Sequence, residues 1–247
     1  MSRDRELVGW VGRLGAVEVR QVGERFGVGR SVAYGLVARL IEAGLLERLA
    51  LLRGEPALIR ATEAGLRFAG LGLSVAPIRL GELRHWIACA DIALWAERAY
   101  GREALISERE LRFAEQLEGR PIASAVLGEL PDGRPMLHRP DLVVTAYGRA
   151  IAVEVELTPK APARLKAIVK AWRRARHVEH VVYFCAPGPT HRALERAVTA
   201  VHATERIEVR DLARVPLTDL TADRRRAPAL PSRLSVPRSD VCTQRTR

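Results

Sequence analysis

The chain has 247 residues, 48% of them apolar, which is enough to bury two small cores and too apolar for disorder throughout. Forty basic side chains against 29 acidic give a formal charge of +11, which points to an acidic polymer as partner, nucleic acid first. No run approaches the roughly 18 apolar residues of a membrane span, and the opening MSRDRE lacks the apolar core of a signal peptide. Cys89, Cys185 and Cys242 stand far apart with no CxxC pair, so neither a disulfide framework nor a zinc knuckle is expected, and a reducing cytoplasm fits. The basic set comprises 37 Arg and three Lys, and Lys160, Lys166 and Lys170 share one eleven-residue window. In so Arg-biased a chain, a retained Lys is a candidate for a role that a guanidinium cannot fill.

In chain order, Leu7, Trp10, Val11 and Leu14 recur at helical spacing from Glu6, with Gly15 as the stop. A short helix is expected from about Val17 to Phe26, a tight turn at 27–29, and a third helix from Arg30 to Ala43 capped by Gly44. Residues 45–52 read as a strand, 53–56 as a tight turn and 57–61 as a returning strand, with Thr62 capping a closing helix. A hairpin after the third helix makes residues 1–70 a winged helix-turn-helix domain. With Ala33, Val37 and Leu40 facing the core, Arg30, Ser31, Tyr34 and Arg39 fall on or near the outer face, where a helix in the major groove meets bases and phosphates. Arg53, at the wing tip, would reach the flanking backbone. Segment 31–48 resembles the recognition helix and first wing strand of bacterial winged-helix regulators. Some such modules mediate protein contacts instead.

Beyond a linker at 71–81, residues 82–220 read as a second, α/β domain. A long helix at 82–100 turns Leu83, Trp86, Ile87, Ala90 and Leu94 inward, with His85 and Asp91 placed either to approach the acids or, as the preferred reading, as core or boundary residues. A strand at 104–107 precedes an irregular stretch to about Arg134, in which Glu108, Glu110 and Glu115 read as surface charge. His138-Arg139-Pro140-Asp141 then leads into a strand at 142–146, a turn at 147–149 and a return strand at 150–158. Strict alternation in the return strand puts Ile151, Val153, Val155 and Leu157 on one face and Glu154 and Glu156 on the other. Two acids on one strand face repel, a cost that a solvated face tolerates and a buried strand offsets only with a cation. Asp141 heads the neighbouring strand, so the three carboxylates are placed to meet at one end of the sheet, where Mg²⁺ would neutralise them. After Pro159, a helix at 163–177 carries Lys166 and Lys170 at i, i+4. A buried strand at 181–185, a helix at 190–202 and a last strand at 207–209 follow.

Strand, strand, helix, strand with a Pro-Asp head and Glu-x-Glu resembles the PD-(D/E)XK nuclease superfamily. The resemblance implies that Asp141 and Glu154 hold the metal. The place of the superfamily's Lys is taken by Glu156, so the Lys would come from Lys160 on the following loop or from Lys166 or Lys170 on the next helix. An N-terminal winged helix, Arg-Pro-Asp and AVEVELTPK before a basic helix are together similar to the plasmid replication-relaxation family of bacterial mobile elements. That resemblance implies double-stranded plasmid or mobile-element DNA as partner and a Mg²⁺-dependent endonuclease or nickase. Its alternative is a winged-helix transcription regulator or replication accessory whose nuclease-like domain is catalytically silent and serves homodimerisation or partner binding. Residues 221–247 hold seven basic and two acidic side chains with Pro punctuation, and read as a disordered basic tail.

Overall fold

In the computed structural model, residues 2–50, 54–146 and 148–214 are described. The Ser2 side chain accepts from the Arg5 N–H and starts helix α1 (Arg3–Leu14), whose first turn carries Asp4 and Glu6 at the positive end of the helix dipole. Gly15 ends it with φ +91°, and a Cβ there would lie 2.5 Å from the Trp86 ring. Glycine is required at this close approach. Next come β1 (Ala16–Glu18), α2 (Val19–Phe26), α3 (Arg30–Glu42), β2 (Leu46–Leu49), β3 (Leu58–Ala61) and α4 (Glu63–Ala69). The expected helix from Val17 therefore begins two residues later. Ala16, Val17 and Glu18 are buried and pair with Arg60, Ile59 and Leu58, so tertiary pairing overrides the local helical pattern.

Helix α3 ends at Glu42, with Ala43 as its cap. Gly44, at φ +69°, donates to Ile41, and the Leu45 N–H reaches back to the Leu40 carbonyl, closing the helix end on itself. Strands β1, β3 and β2 form an antiparallel sheet in that order. Ala33, Val37 and Leu40 are buried as expected, which turns Arg30, Ser31, Val32 and Tyr34 outward.

Helix α5 (Leu83–Tyr100) lies against β1 and α2 on one side and β7 and β8 on the other. Its inward surface is wider than the expected stripe. All of 92–97 is buried, whereas Trp86 and Ile87 are half-buried. One apolar core consequently runs from Leu7, Val11, Val22 and Leu40 through Trp95 to Val153 and Phe184.

Strand β4 (Leu105–Ser107) is followed by α6 (Glu108–Glu118) and the hairpin β5 (Ala125–Glu129) with β6 (Pro135–His138), where an irregular stretch was expected. The helix start is written in Ser107-x-x-Glu110. Ser107 Oγ accepts from the Glu110 N–H, and the Glu110 carboxylate accepts from the Ser107 N–H. Glu115 is a further correction. It is 3% exposed, pairs with Arg139 at 2.9 Å and accepts from the Ile122 N–H, so it ties α6 to the turn before β5.

Strands β7 (Leu142–Ala146) and β8 (Arg149–Glu156), helix α7 (Pro162–Arg174), β9 (His180–Cys185), α8 (Pro189–Ala200) and β10 (Ile207–Asp211) complete the described chain. The main sheet has order β10-β9-β8-β7-β4, parallel across β8, β9 and β10 and antiparallel across β8, β7 and β4. Helix α5 covers one face of this mixed α/β sheet, and α7 and α8 the other. Among the described residues, no helix is long and apolar enough to cross a membrane. Arg53 and the expected tail at 221–247 lie outside the described residues.

Candidate functional site

Register brings the acids together. Leu142 pairs with Val153 in the antiparallel β7–β8 hairpin, so Asp141, one residue before β7, stands across from Glu154. The Asp141 Oδ2 accepts from the Val155 N–H at 2.7 Å, and its Oδ1 lies 3.0 Å from His85 Nε2 on α5. His85 is therefore a site residue rather than a boundary residue. Its i, i+4 neighbour Cys89 places Sγ 3.4 Å from the same ring nitrogen.

Glu154 and Glu156 occupy the α7 face of β8, at 6% and 7% exposure. A solvated strand face is excluded. Glu154 Oε1 accepts from Trp172 Nε1 of α7 at 3.1 Å and pairs with His138 Nε2 at 2.7 Å. Glu156 pairs with Lys160, four residues on, beyond the break at Pro159. Lys166 and Lys170 lie on the exposed face of α7, opposite the buried Leu165, Ile168, Val169 and Trp172. Of the three lysines, Lys160 is the one the fold brings to the acids.

Burial disfavours the imidazolium of His85, yet the hydrogen bond and charge of Asp141, with Glu154 behind them, raise its pKa. His138 follows the same pattern, with Glu154 as the dominant opposing charge. Burial lowers the Lys160 pKa, and the charges of Glu154 and Asp141 only partly offset it. Tyr183, opposite Glu154 on β9, is buried, and burial with the Glu154 charge pushes its phenol well up. The site thus holds three carboxylates, each facing one base.

Two kinds of donor for a cation are present. Asp141 and Glu154 supply the hard oxygens that suit Mg²⁺, and in that respect the residues fit such an ion. Among the described residues, the donor atoms already lying within 4.8 Å of one another are those of His85, Cys89 and Asp141. Nothing in the sequence flagged His138 or Trp172, which reach Glu154 from the end of β6 and from α7. The His85-x-x-x-Cys89 spacing on an evident helix was legible.

At the other end of the chain, Tyr34 is 49% and Val32 53% exposed on α3, and the Arg30 guanidinium stacks 5.7 Å from the Tyr34 ring. Arg39 is exposed but committed to α1, with two hydrogen bonds of 2.8 and 2.7 Å to Asp4. Asp91 pairs with Arg20 at 2.9 Å, away from the acids. No family model, curated protein or solved structure matches this chain.

Proposed function

We propose that this chain binds double-stranded DNA, plasmid or mobile-element DNA by the resemblance noted above, and cleaves one phosphodiester bond with the help of a divalent cation. The observation that carries this reading is the meeting of Asp141, Glu154 and Lys160. Asp141 heads β7, Glu154 lies on the adjacent β8 and Lys160 on the loop beyond, at one end of a sheet built, with α6 and the β5–β6 hairpin left out, in the order helix, three strands, helix, strand. This order, counting α5, β4, β7, β8, α7 and β9, supports the PD-(D/E)XK reading, with α6 and the hairpin β5–β6 as an insertion.

Asp141 and Glu154 would hold the cation, which when bound supplies Lewis-acid polarisation of the phosphate. Val155 N–H and Trp172 Nε1 fix the two carboxylates from the protein side. Lys160, held by Glu156, is placed to stabilise charge at the phosphate or to orient the attacking water. For DNA binding, the order α1, β1, α2, α3, β2, β3 supports the winged-helix reading, with Arg30, Ser31 and Tyr34 on the helix that would enter the major groove.

A silent, partner-binding domain is the second reading. It is favoured by the pairing of Asp141 with His85, Glu154 with His138 and Glu156 with Lys160, which balances the acids without a cation. Supercoiled plasmid incubated with Mg²⁺ or Mn²⁺ separates the two. The proposal expects open-circle product from the native chain and its loss, by about 100-fold or more, in Asp141→Asn and Glu154→Gln. Supercoiled DNA left intact by the native chain would favour the second reading.

A further inference from the structure

We propose that His85, Cys89 and Asp141 form a site for a borderline-soft divalent ion such as Zn²⁺ or Co²⁺, bound through one nitrogen, one sulfur and one oxygen. The site shares Asp141 with the proposed cleavage centre but does not rest on that reading.

His85 and Cys89 are one helical turn apart on α5 and share the face turned toward the start of β7. Their donor atoms and a carboxylate oxygen of Asp141 all lie within 4.8 Å of one another, with Nε2 to Oδ1 at 3.0 Å and Sγ to Nε2 at 3.4 Å. Bonds of about 2.0–2.3 Å to a tetrahedral ion place its ligands about 3.3–3.7 Å apart. Small side-chain adjustments would therefore close the three donors around one ion.

A second observation concerns the nitrogen itself. Asp141 Oδ1 and Cys89 Sγ both approach His85 Nε2, and a ring nitrogen has a single in-plane position, occupied either by a proton or by a lone pair. One nitrogen can serve both neighbours only through a shared, bent hydrogen bond. An ion between the three atoms can bond all of them. The Val155 N–H holds Asp141 Oδ2 and leaves Oδ1 aimed at the histidine, the outer support typical of metal-binding carboxylates.

Without an ion Cys89 carries its thiol proton, as a cysteine ordinarily does near neutral pH. Coordination replaces that proton, so binding forms the sulfur–metal bond and releases the thiol proton to solvent. A thiolate also sets the selectivity, since sulfur and imidazole donors favour Zn²⁺ or Co²⁺ over Mg²⁺. Three protein ligands leave the fourth tetrahedral position to water or substrate, the arrangement of a reactive rather than a closed structural site.

The test is titration of the metal-free full chain with Co²⁺, followed by near-ultraviolet absorption. One equivalent is expected to produce a sulfur-to-cobalt charge-transfer band that Zn²⁺ displaces and a large excess of Mg²⁺ does not. Cys89→Ser should abolish the band, Cys185→Ser should retain it, and His85→Ala should weaken binding by about 10–100-fold or more. Thermal melts of the variants check that they remain folded. Absence of the band in the native chain, or its persistence in Cys89→Ser, would overturn the proposal. A band with no plasmid cleavage leaves this site standing and removes the nuclease reading, and cleavage with Mg²⁺ but no band does the reverse.

Discussion

Glu208 shows how strongly single side chains are tuned away from the candidate site. The His180 imidazole, 3.8 Å away, followed by the paired hydrogen bonds of Arg210, lowers its pKa from 4.5 to about 2 despite partial burial. A depressed acid contributes stability that is present above its unfolded pKa and lost as pH falls through the folded one. With its side chain 42% exposed, solvent screening limits that contribution to about 1 kcal/mol. Glu208→Gln should therefore lower stability by about 1 kcal/mol at pH 7, and urea melts should show the difference from the native chain fading between pH 4.5 and about 2. At the candidate site, strand alternation made Glu154 and Glu156 legible as same-face neighbours, and the Pro-Asp head made Asp141 legible. Their partners were not. His138, the last residue of β6, reaches Glu154 from outside the main sheet, and Glu115, inside an acid-rich segment, carries no sequence mark of its burial against Arg139.

Among the elements, α3 and α5 carry the functional consequences. The exposed face of α3 separates two kinds of arginine, since Arg30 stacks on Tyr34 and faces outward while Arg39 is bound to Asp4. Gel-shift titrations with duplex DNA should show Arg30→Ala and Tyr34→Ala weakening binding by about tenfold each, with Arg39→Ala having the smaller effect. Equal affinity of all three variants and the native chain would place the DNA contact elsewhere. Helix α5 is fastened to the N-terminal elements by Arg25, whose Nε donates to Glu97 at 2.8 Å with both side chains 5% exposed, and which also pairs with Glu6. Removing one member leaves a buried charge unpaired, so Arg25→Ala should cost about 3–5 kcal/mol in thermal or urea unfolding, whereas the paired change Arg25→Met with Glu97→Leu should cost much less. The long helix was legible from its apolar spacing, but its two-sided burial was not, because a single stripe cannot announce contacts with two sheets. The α6 start was legible in principle from Ser107-x-x-Glu110, a capping signature obscured by the charge density that follows it.

At the scale of the molecule, the continuous core from Leu7 to Phe184 joins the elements that present Arg30 and Tyr34 to those that hold Asp141, Glu154 and Lys160. A duplex held by α3 would thus be held by elements that share one core with those that carry the acids. The net charge of +11 favours that encounter, while the acids of the site are offset locally by His85, His138 and Lys160. Of the three lysines, the loop after β8 folds Lys160 back toward the strand, while the helical periodicity of α7 carries Lys166 and Lys170 to the outside. The most direct measurement is therefore the single-turnover rate of open-circle formation from supercoiled plasmid with Mg²⁺ or Mn²⁺, comparing the native chain with Lys160→Ala and with Lys166→Ala. A catalytic Lys160 predicts a loss of about 100-fold or more in the first variant and a rate within about threefold of native in the second. Equal rates in the native chain and Lys160→Ala, or no cleavage by the native chain with either metal, would contradict it.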